Sequence, residues 1–258
     1  TDLTKQAGVS FNHCLGAKKI SNILEATGSG CGWLDYDLDG NLDLYVANGC
    51  YLEGVSDPNS SFKGKRVMSH LYRNNGDGTF SDVTEKAGVG NEGHYGMGVL
   101  VGDYDNDGRP DIYLTNYGRN TLYHNNGDGS FTDVTEKSGV GVGRWSTGAA
   151  FIDYDRDGFL DLFVGVYLEF DAKYRLFYEA DVYPGPLAYP AQSSVLYHNN
   201  GDGTFTDVTE KAGVGLKGRA MGAIAVDYDD DGWTDIFVAN DNSANFLFRN
   251  NGNSTFSE

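Results

Sequence analysis

A nineteen-residue segment that recurs almost letter for letter constrains this chain more than any other feature. It runs from Leu71 through Tyr-Arg-Asn-Asn-Gly-Asp-Gly-Thr-Phe-Ser-Asp-Val-Thr-Glu-Lys-Ala-Gly to Val89, and returns from Leu122 to Val140 and from Leu196 to Val214. A fourth copy starts at Leu247 and stops at Glu258, while residues Thr1 to Val9 match the tail of the same unit. The chain therefore opens and closes inside a repeat, as a mature protein or a fragment of a longer one would. A repeat this short cannot bury a core alone; it becomes stable by stacking on its neighbours.

Between these copies lies a second block, Asp-x-Asp-x-Asp-Gly-x-x-Asp, starting at Asp35, Asp103, Asp153 and Asp227. The starts are 68, 50 and 74 residues apart, so the basic unit is about 50 residues, with insertions at 51–69 and 167–195. Each unit reads as four short strands. Strand A is small and apolar (Gly96-Met-Gly-Val-Leu-Val-Gly-Asp103), and strand B is β-branched and aromatic (Leu160 to Gly165). Strand C is Leu-Tyr-Arg/His. Strand D is Thr-Phe-x-Asp-Val-Thr, joined to C by Asn-Asn-Gly-Asp-Gly, whose Asn-Gly and Asp-Gly steps supply the positive φ angles of a tight turn. Thirty-six glycines against five prolines agree with many tight turns, and no sustained 3.6-residue period supports a helical solenoid. The expected fold is all-β, a β-propeller of four-stranded blades at about 28–85, 96–136, 145–210 and 219–258. The outer strand of the fourth is truncated, and residues 1–5 supply the outer strand of a preceding or closing blade.

The acidic block points to a metal. Carboxylates two residues apart repel in extended chain, and a turn that wraps them round a hard cation relieves this; alternating Asp with Gly at the sixth position is how calcium loops turn. The expected side-chain ligands are Asp35, Asp37, Asp39 and Asp43; Asp103, Asp105, Asp107 and Asp111; Asp153, Asp155, Asp157 and Asp161; and Asp227, Asp229, Asp231 and Asp235. Position seven holds Asn41, Arg109, Phe159 and Trp233, which are expected to contribute backbone carbonyls. An EF-hand is excluded because its twelfth-position Glu is replaced by Val46, Leu114, Val164 and Val238. Magnesium fits less well, since it keeps several waters. Four Ca²⁺ are expected, and they would offset nearly half of the formal charge of −18.

These loops, with Leu-Tyr-Arg-Asn-Asn-Gly-Asp-Gly-Thr-Phe-x-Asp-Val-Thr-Glu-x-Ala-Gly-Val between them, resemble the FG-GAP/VCBS repeat family, and within it the cartilage-acidic-protein-like members and their bacterial relatives. The resemblance covers essentially the whole chain. It implies a propeller, commonly seven-bladed, with calcium between strands A and B, in extracellular or cell-surface proteins that bind, adhere or act as scaffolds. The chain departs from the repeat at Asn250-Asn-Gly-Asn253-Ser, and the 167–195 insertion has no cysteine, where relatives often carry them.

The acidic balance argues against nucleic acid as a partner, and no apolar run reaches the roughly 18–20 residues of a membrane helix. The acidic loops and the Asn-Asn-Gly-Asp-Gly turns should share one face. The insertions and the D–A loops should share the other, with eleven of the nineteen basic residues: Lys18, Lys19, Lys63, Lys65, Arg66, Arg119, Arg144, Lys173, Arg175, Lys217 and Arg219. Tyr167, Tyr174, Tyr178, Tyr183 and Tyr189, beside Pro184, Pro186 and Pro190, make that face a platform for a protein or glycan ligand, or mere packing for the insertion. His124 and His198 stand where the sister repeats have Arg73 and Arg249 and read as structural, while His13, His70 and His94 are scattered. No nucleophile elbow or zinc motif is present, so the rival reading, a polysaccharide-active lyase or hydrolase, rests on distant loops; a carbohydrate-binding lectin is a further alternative. Cys14, Cys31 and Cys50 allow one internal bridge at most, and Asn59 and Asn253 head glycosylation sequons. Residues Thr1 to Thr4 carry the sequence of the missing outer strand and could pair with the truncated strand at Thr255 to Glu258, closing a ring or joining molecules through their terminal blades, while the family resemblance favours a seven-bladed parent that supplies the missing neighbours covalently.

Overall fold

The computed structural model describes residues 2–17, 20–174 and 183–258. The first unit comprises β1 (Cys31–Leu34), β2 (Asp43–Val46), β3 (His70–Asn74) and β4 (Phe80–Asp82), paired in that order as an antiparallel meander. The second comprises β5 (Tyr95–Gly102), β6 (Asp111–Arg119), β7 (Thr121–Asn125) and β8 (Phe131–Asp133). In the third, β9 (Gly143–Ile152), β10 (Asp161–Val166), β12 (Val195–Asn199) and β13 (Phe205–Asp207) pair in sequence, and β11 (Gln192–Ser193) lies within the insertion. After β14 (Lys217–Gly218), the fourth unit is β15 (Ala220–Val226), β16 (Asp235–Asn240), β17 (Phe246–Asn250) and β18 (Phe256–Ser257). The long second and third units also touch edge to edge through β6 and β9, at Tyr117–Trp145 to Arg119–Gly143. The architecture is all-β and β-propeller-like.

Adjacent units pack face to face, with the core between them. One cluster joins Leu34, Tyr45 and Leu71 of the first unit to Ile112, Leu114 and Phe131 of the second. Equivalent clusters join the second to the third and the third to the fourth. Strand A lies where neighbouring units approach most closely. A Cβ on Gly30 would stand 3.0 Å from the Gly98 Cα, one on Gly98 2.7 Å from the Thr147 carbonyl oxygen, and one on Gly148 2.7 Å from the Gly222 Cα. Each of these glycines sits five residues before the first Asp of its loop, so the small composition of strand A is a packing requirement. Gly222, in the fourth unit, has open space instead.

Strand D is shorter than its sequence implies. It ends at Asp82, Asp133 and Asp207, and the following Thr-Glu-Lys-Ala/Ser winds one helical turn: α1 (Thr84–Ala87), α2 (Thr135–Ser138) and α3 (Thr209–Ala212). The Asp carboxylate accepts the backbone N–H and hydroxyl of the Thr two residues on, at 3.0 and 2.6 Å in all three copies. That local bond competes with the strand ladder and wins. A left-handed glycine, Gly88, Gly139 or Gly213, then ends the turn.

The expected strand at residues 1–5 does not form among the described residues. Asp2 caps Thr4 as Asp82 caps Thr84, Ala7 donates to the Leu3 carbonyl at 2.7 Å, and Phe80 of β4 donates to the Ala7 carbonyl at 2.7 Å. The N-terminal segment thus docks on the first unit as the tail of a preceding repeat would, and does not pair with β18, whose partner is β17. The described parts of the 51–69 and 167–195 insertions gather with residues 20–25 over a fourth core cluster that includes Leu24, Tyr95, Trp145, Tyr167 and Tyr189.

Candidate metal centres

Each acidic block forms the hairpin loop between the first two strands of its unit. Leu34 pairs with Asp43, Gly102 with Asp111, Ile152 with Asp161 and Val226 with Asp235. The fourth residue of each loop (Leu38, Asn106, Arg156, Asp230) takes a positive φ of 56–61° that reverses the chain.

The first Asp holds the turn. Asp35 accepts the N–H groups of Asp39 and Gly40 at 3.0 and 2.9 Å, and Asp103 those of Asp107 and Gly108 at 3.0 and 2.8 Å. Asp153 repeats this at 3.1 and 3.2 Å, while Asp227 keeps the Gly232 bond at 2.8 Å. The fifth-position carboxylates, Asp39, Asp107, Asp157 and Asp231, accept the N–H of position seven at 2.8–2.9 Å.

The last Asp is the anchor. Asp43, Asp111, Asp161 and Asp235 are wholly buried, and each accepts one N–H from its own loop (Tyr36, Tyr104, Tyr154, Tyr228) and one from the third strand (Asn74, Asn125, Asn199, Asn250). Desolvation pushes the carboxyl of Asp43 up to about 6, that of Asp161 to about 7 and that of Asp111 to about 8. Burial likewise raises Asp105 and Asp155. A cation placed among carboxyls this reluctant to ionise would stabilise them as anions.

One carboxylate oxygen in each loop is buried and has no partner: Oδ1 of Asp37, Asp105, Asp155 and Asp227. Such orphans are costly unless they ligate something. In three loops the orphan belongs to position three and in the fourth to position one, and in all four loops the position-three Oδ2 faces a basic side chain of the third strand. Arg73 donates to Asp37 Oδ2 at 2.6 Å and Asp39 Oδ2 at 2.7 Å; Arg249 does the same to Asp229 and Asp231 at 2.7 and 2.6 Å. His124 and His198 present Nδ1 to Asp105 and Asp155 Oδ2 at 3.2 and 3.4 Å. The sequence showed that these four residues are equivalent, but not that they face the acidic loop. Position-seven side chains turn away from the carboxylate cluster in the third and fourth loops: Phe159 and Trp233 cover Gly201 and Gly252 of the neighbouring turn. Asn41 and Arg109 bond back to Asp39 and Asp107.

Adjacent units are locked beside these loops by a repeated clamp. The Asn125, Asn199 and Asn250 side chains donate to the carbonyls of Tyr36, Tyr104 and Tyr154 in the preceding unit at 2.9, 2.8 and 2.7 Å. The same tyrosine rings stand 5.9–6.1 Å from Phe131, Phe205 and Phe256. Tyr36, Tyr104 and Tyr154 are 3–5% exposed, whereas their counterpart Tyr228 is 48% exposed.

On the opposite face, the two insertions and residues 20–22 line a cavity of about 630 Å³ that includes Tyr51, Phe170, Tyr174, Tyr183 and Tyr189. Tyr167 and Tyr189 are buried, Tyr174 is 41% exposed, and Tyr178 lies outside the described residues, as do Lys18, Lys19 and Arg175. Several of the basic residues there brace loops. Arg66 pairs with Glu85 and Glu92, Arg119 with Asp133 and Glu136, and Arg219 donates to the Pro186 and Tyr189 carbonyls. Cys14, Cys31 and Cys50 are free thiols. Among the described residues no helix is long and apolar enough to cross a membrane.

Stacked four-stranded sheets with an acidic hairpin in each define a class of repeat protein. The FG-GAP-like repeat matches residues 35–114, 103–164 and 187–238, and the chain belongs to that family. It is 30% identical to cartilage acidic protein 1 of Xenopus tropicalis over 230 residues, covering 86% of this chain and 31% of that protein. Against the Mus musculus protein of the same name, identity is 26% over 267 residues, covering 88% and 40%. The chain thus spans 31–40% of the length of these relatives. A solved Agrocybe aegerita lectin, described for its recognition of non-reducing terminal N-acetylglucosamine, superposes with a TM-score of 0.44 at 18% identity, over 88% of this chain and 50% of that one. That likeness is too distant to bear on this chain's ligand.

Proposed function

We propose that this protein is an extracellular, calcium-stabilised propeller segment that serves as a binding or adhesion scaffold, with one Ca²⁺ in each of its four acidic loops. The orphaned, buried carboxylate oxygen in every loop carries the metal reading. The ligands are the four Asp side chains of each loop together with the position-seven carbonyls of Asn41, Arg109, Phe159 and Trp233. Calcium suits an all-oxygen, carboxylate-rich set of this kind. Bound only by the folded state, it stabilises the sheets by mass action. Calorimetry or native mass spectrometry on chelator-treated protein should find four Ca²⁺ per chain and a melting temperature that falls on chelation; zero or one ion would overturn the assignment.

Partner recognition is assigned to the insertion face, where the aromatic cavity supplies stacking surfaces for a protein or glycan ligand. A glycan array run beside a depolymerisation assay separates a binding role from bond cleavage. The exposed Tyr228 face fits a further sheet bearing the same Asn and Phe as its neighbours, which is how the four units would extend to a seven-bladed propeller or associate with another copy. Sedimentation at micromolar concentration in calcium tests association, and a monomer would count against it.

A further inference from the structure

We propose that the second and third loops are mixed imidazole–carboxylate centres able to take a borderline divalent cation such as Zn²⁺ or Co²⁺, whereas the first and fourth are restricted to hard cations. This rests on the reading of the loops as cation sites and divides them into two chemical kinds.

His124 Nδ1 lies 3.2 Å from Asp105 Oδ2 and 3.4 Å from Asp111 Oδ1; His198 Nδ1 lies 3.4 Å from Asp155 Oδ2 and 3.2 Å from Asp161 Oδ1. A tetrahedral ion with bonds of about 2.0–2.1 Å requires donor–donor edges of roughly 3.3–3.4 Å. In both loops the distances from the imidazole to its two carboxylates match that requirement. His124 Nδ1 is itself buried and, despite its proximity to two carboxylates, has no hydrogen-bond partner, whereas His198 Nδ1 is hydrogen-bonded to Asp161 Oδ1. Asp111 and Asp161 are wholly buried and pinned by two N–H groups each. The imidazole planes are held as well, since Tyr104 and Tyr154 meet them edge-on at 6.3 and 6.2 Å. Imidazole nitrogen favours Zn²⁺ and Co²⁺ over calcium, which prefers oxygen. At the first and fourth loops Arg73 and Arg249 offer only donors and a fixed positive charge, so they steady the carboxylates but supply no ligand atom.

The test is a Co²⁺ titration of chelator-treated protein followed by visible d–d absorption, with Ca²⁺ calorimetry alongside. Two equivalents of Co²⁺ per chain should develop the band. The band should disappear in the double variant His124→Arg/His198→Arg, which carries the residue its sister repeats use there and whose folding is checked by circular dichroism. His70→Gln should leave the band unchanged. A missing band, or one that survives the double variant, would overturn the proposal. If Co²⁺ binds at two sites while calcium binds nowhere, the calcium reading fails and this one stands; calcium at four sites without a Co²⁺ band gives the reverse.

Discussion

Substituting Asn125 by Ala tests whether the clamp between units stabilises the array. The side chain makes three bonds: Nδ2 donates to the Tyr36 carbonyl at 2.9 Å and the Pro110 carbonyl at 3.2 Å, and Oδ1 accepts the Gly127 N–H at 3.0 Å. At a net worth of about 1 kcal/mol each, their loss costs about 3 kcal/mol at this wholly buried position. Asn74 is the internal control, because it occupies the same place in the first unit without a described sheet before it. Its side chain makes two bonds, to the Leu42 carbonyl and from the Gly76 N–H, both near solvent, so Asn74→Ala should cost about 1 kcal/mol. The difference of about 2 kcal/mol corresponds to a separation in melting temperature of roughly 4–8 °C for a chain of this size. Scanning calorimetry at fixed calcium measures it, since the third-strand backbone N–H that holds the last Asp is kept in both variants. Equal losses, or a larger loss for Asn74→Ala, would refute the idea that the carbonyl of the preceding unit is the important partner.

Tyr154→Ala should cost about 3 kcal/mol by removing a buried ring that packs on Phe256, while Tyr228→Ala, at the exposed counterpart, should stay within about 0.5 kcal/mol; chemical denaturation of both variants compares them. Asp105→Ala should remove one calcium equivalent by native mass spectrometry and raise hydrogen exchange chiefly in the second unit, which a uniform loosening would contradict. The buried carboxyls of Asp43, Asp161 and Asp111, raised to about 6, about 7 and about 8, bind protons more tightly folded than unfolded. Their contribution to stability is therefore full below the ordinary carboxylate range and is lost as pH rises through their folded values. Chelated protein should thus melt lower at pH 8 than at pH 5.5, whereas excess calcium should widen the gap between loaded and chelated forms as pH rises; a chelated melting curve that shifts upward over that range would contradict the burial argument.

Much of this architecture could be read in the sequence because its chemistry repeats at fixed spacing. Four acidic loops, their turns and the glycine-rich first strand were all visible as letters, and the structure adds why Gly30, Gly98 and Gly148 are needed: a neighbouring backbone lies where a Cβ would stand. The strand assignment erred at Thr84, Thr135 and Thr209, where β-branched residues suggested strand but the preceding Asp bonds locally and starts a helical turn. Asn125, Asn199 and Asn250 looked like turn formers, because their second role depends on a carbonyl about 90 residues earlier in the chain. The tyrosines of the 167–195 insertion looked like one group, yet the fold divides them, burying Tyr167 and Tyr189 and leaving Tyr174 near the surface.

The interchange of Arg73 and Arg249 with His124 and His198 is the instructive case. Sequence establishes that the four positions are equivalent, but which face they address depends on the register of the second and third strands. Leu44 pairs with Tyr72 and Ile236 with Phe248, which leaves the next residue, Arg73 or Arg249, at the mouth of the acidic hairpin. Ile112 with Tyr123 and Leu162 with Tyr197 do the same for the two histidines. A shift of one residue would send the side chains to the opposite face of the sheet. The buried Asp at the loop's end holds the register against this, because it accepts the N–H of Asn74, Asn125, Asn199 or Asn250, one residue beyond. The carboxylate that serves as a candidate ligand therefore also places the Arg or His that distinguishes one loop from another.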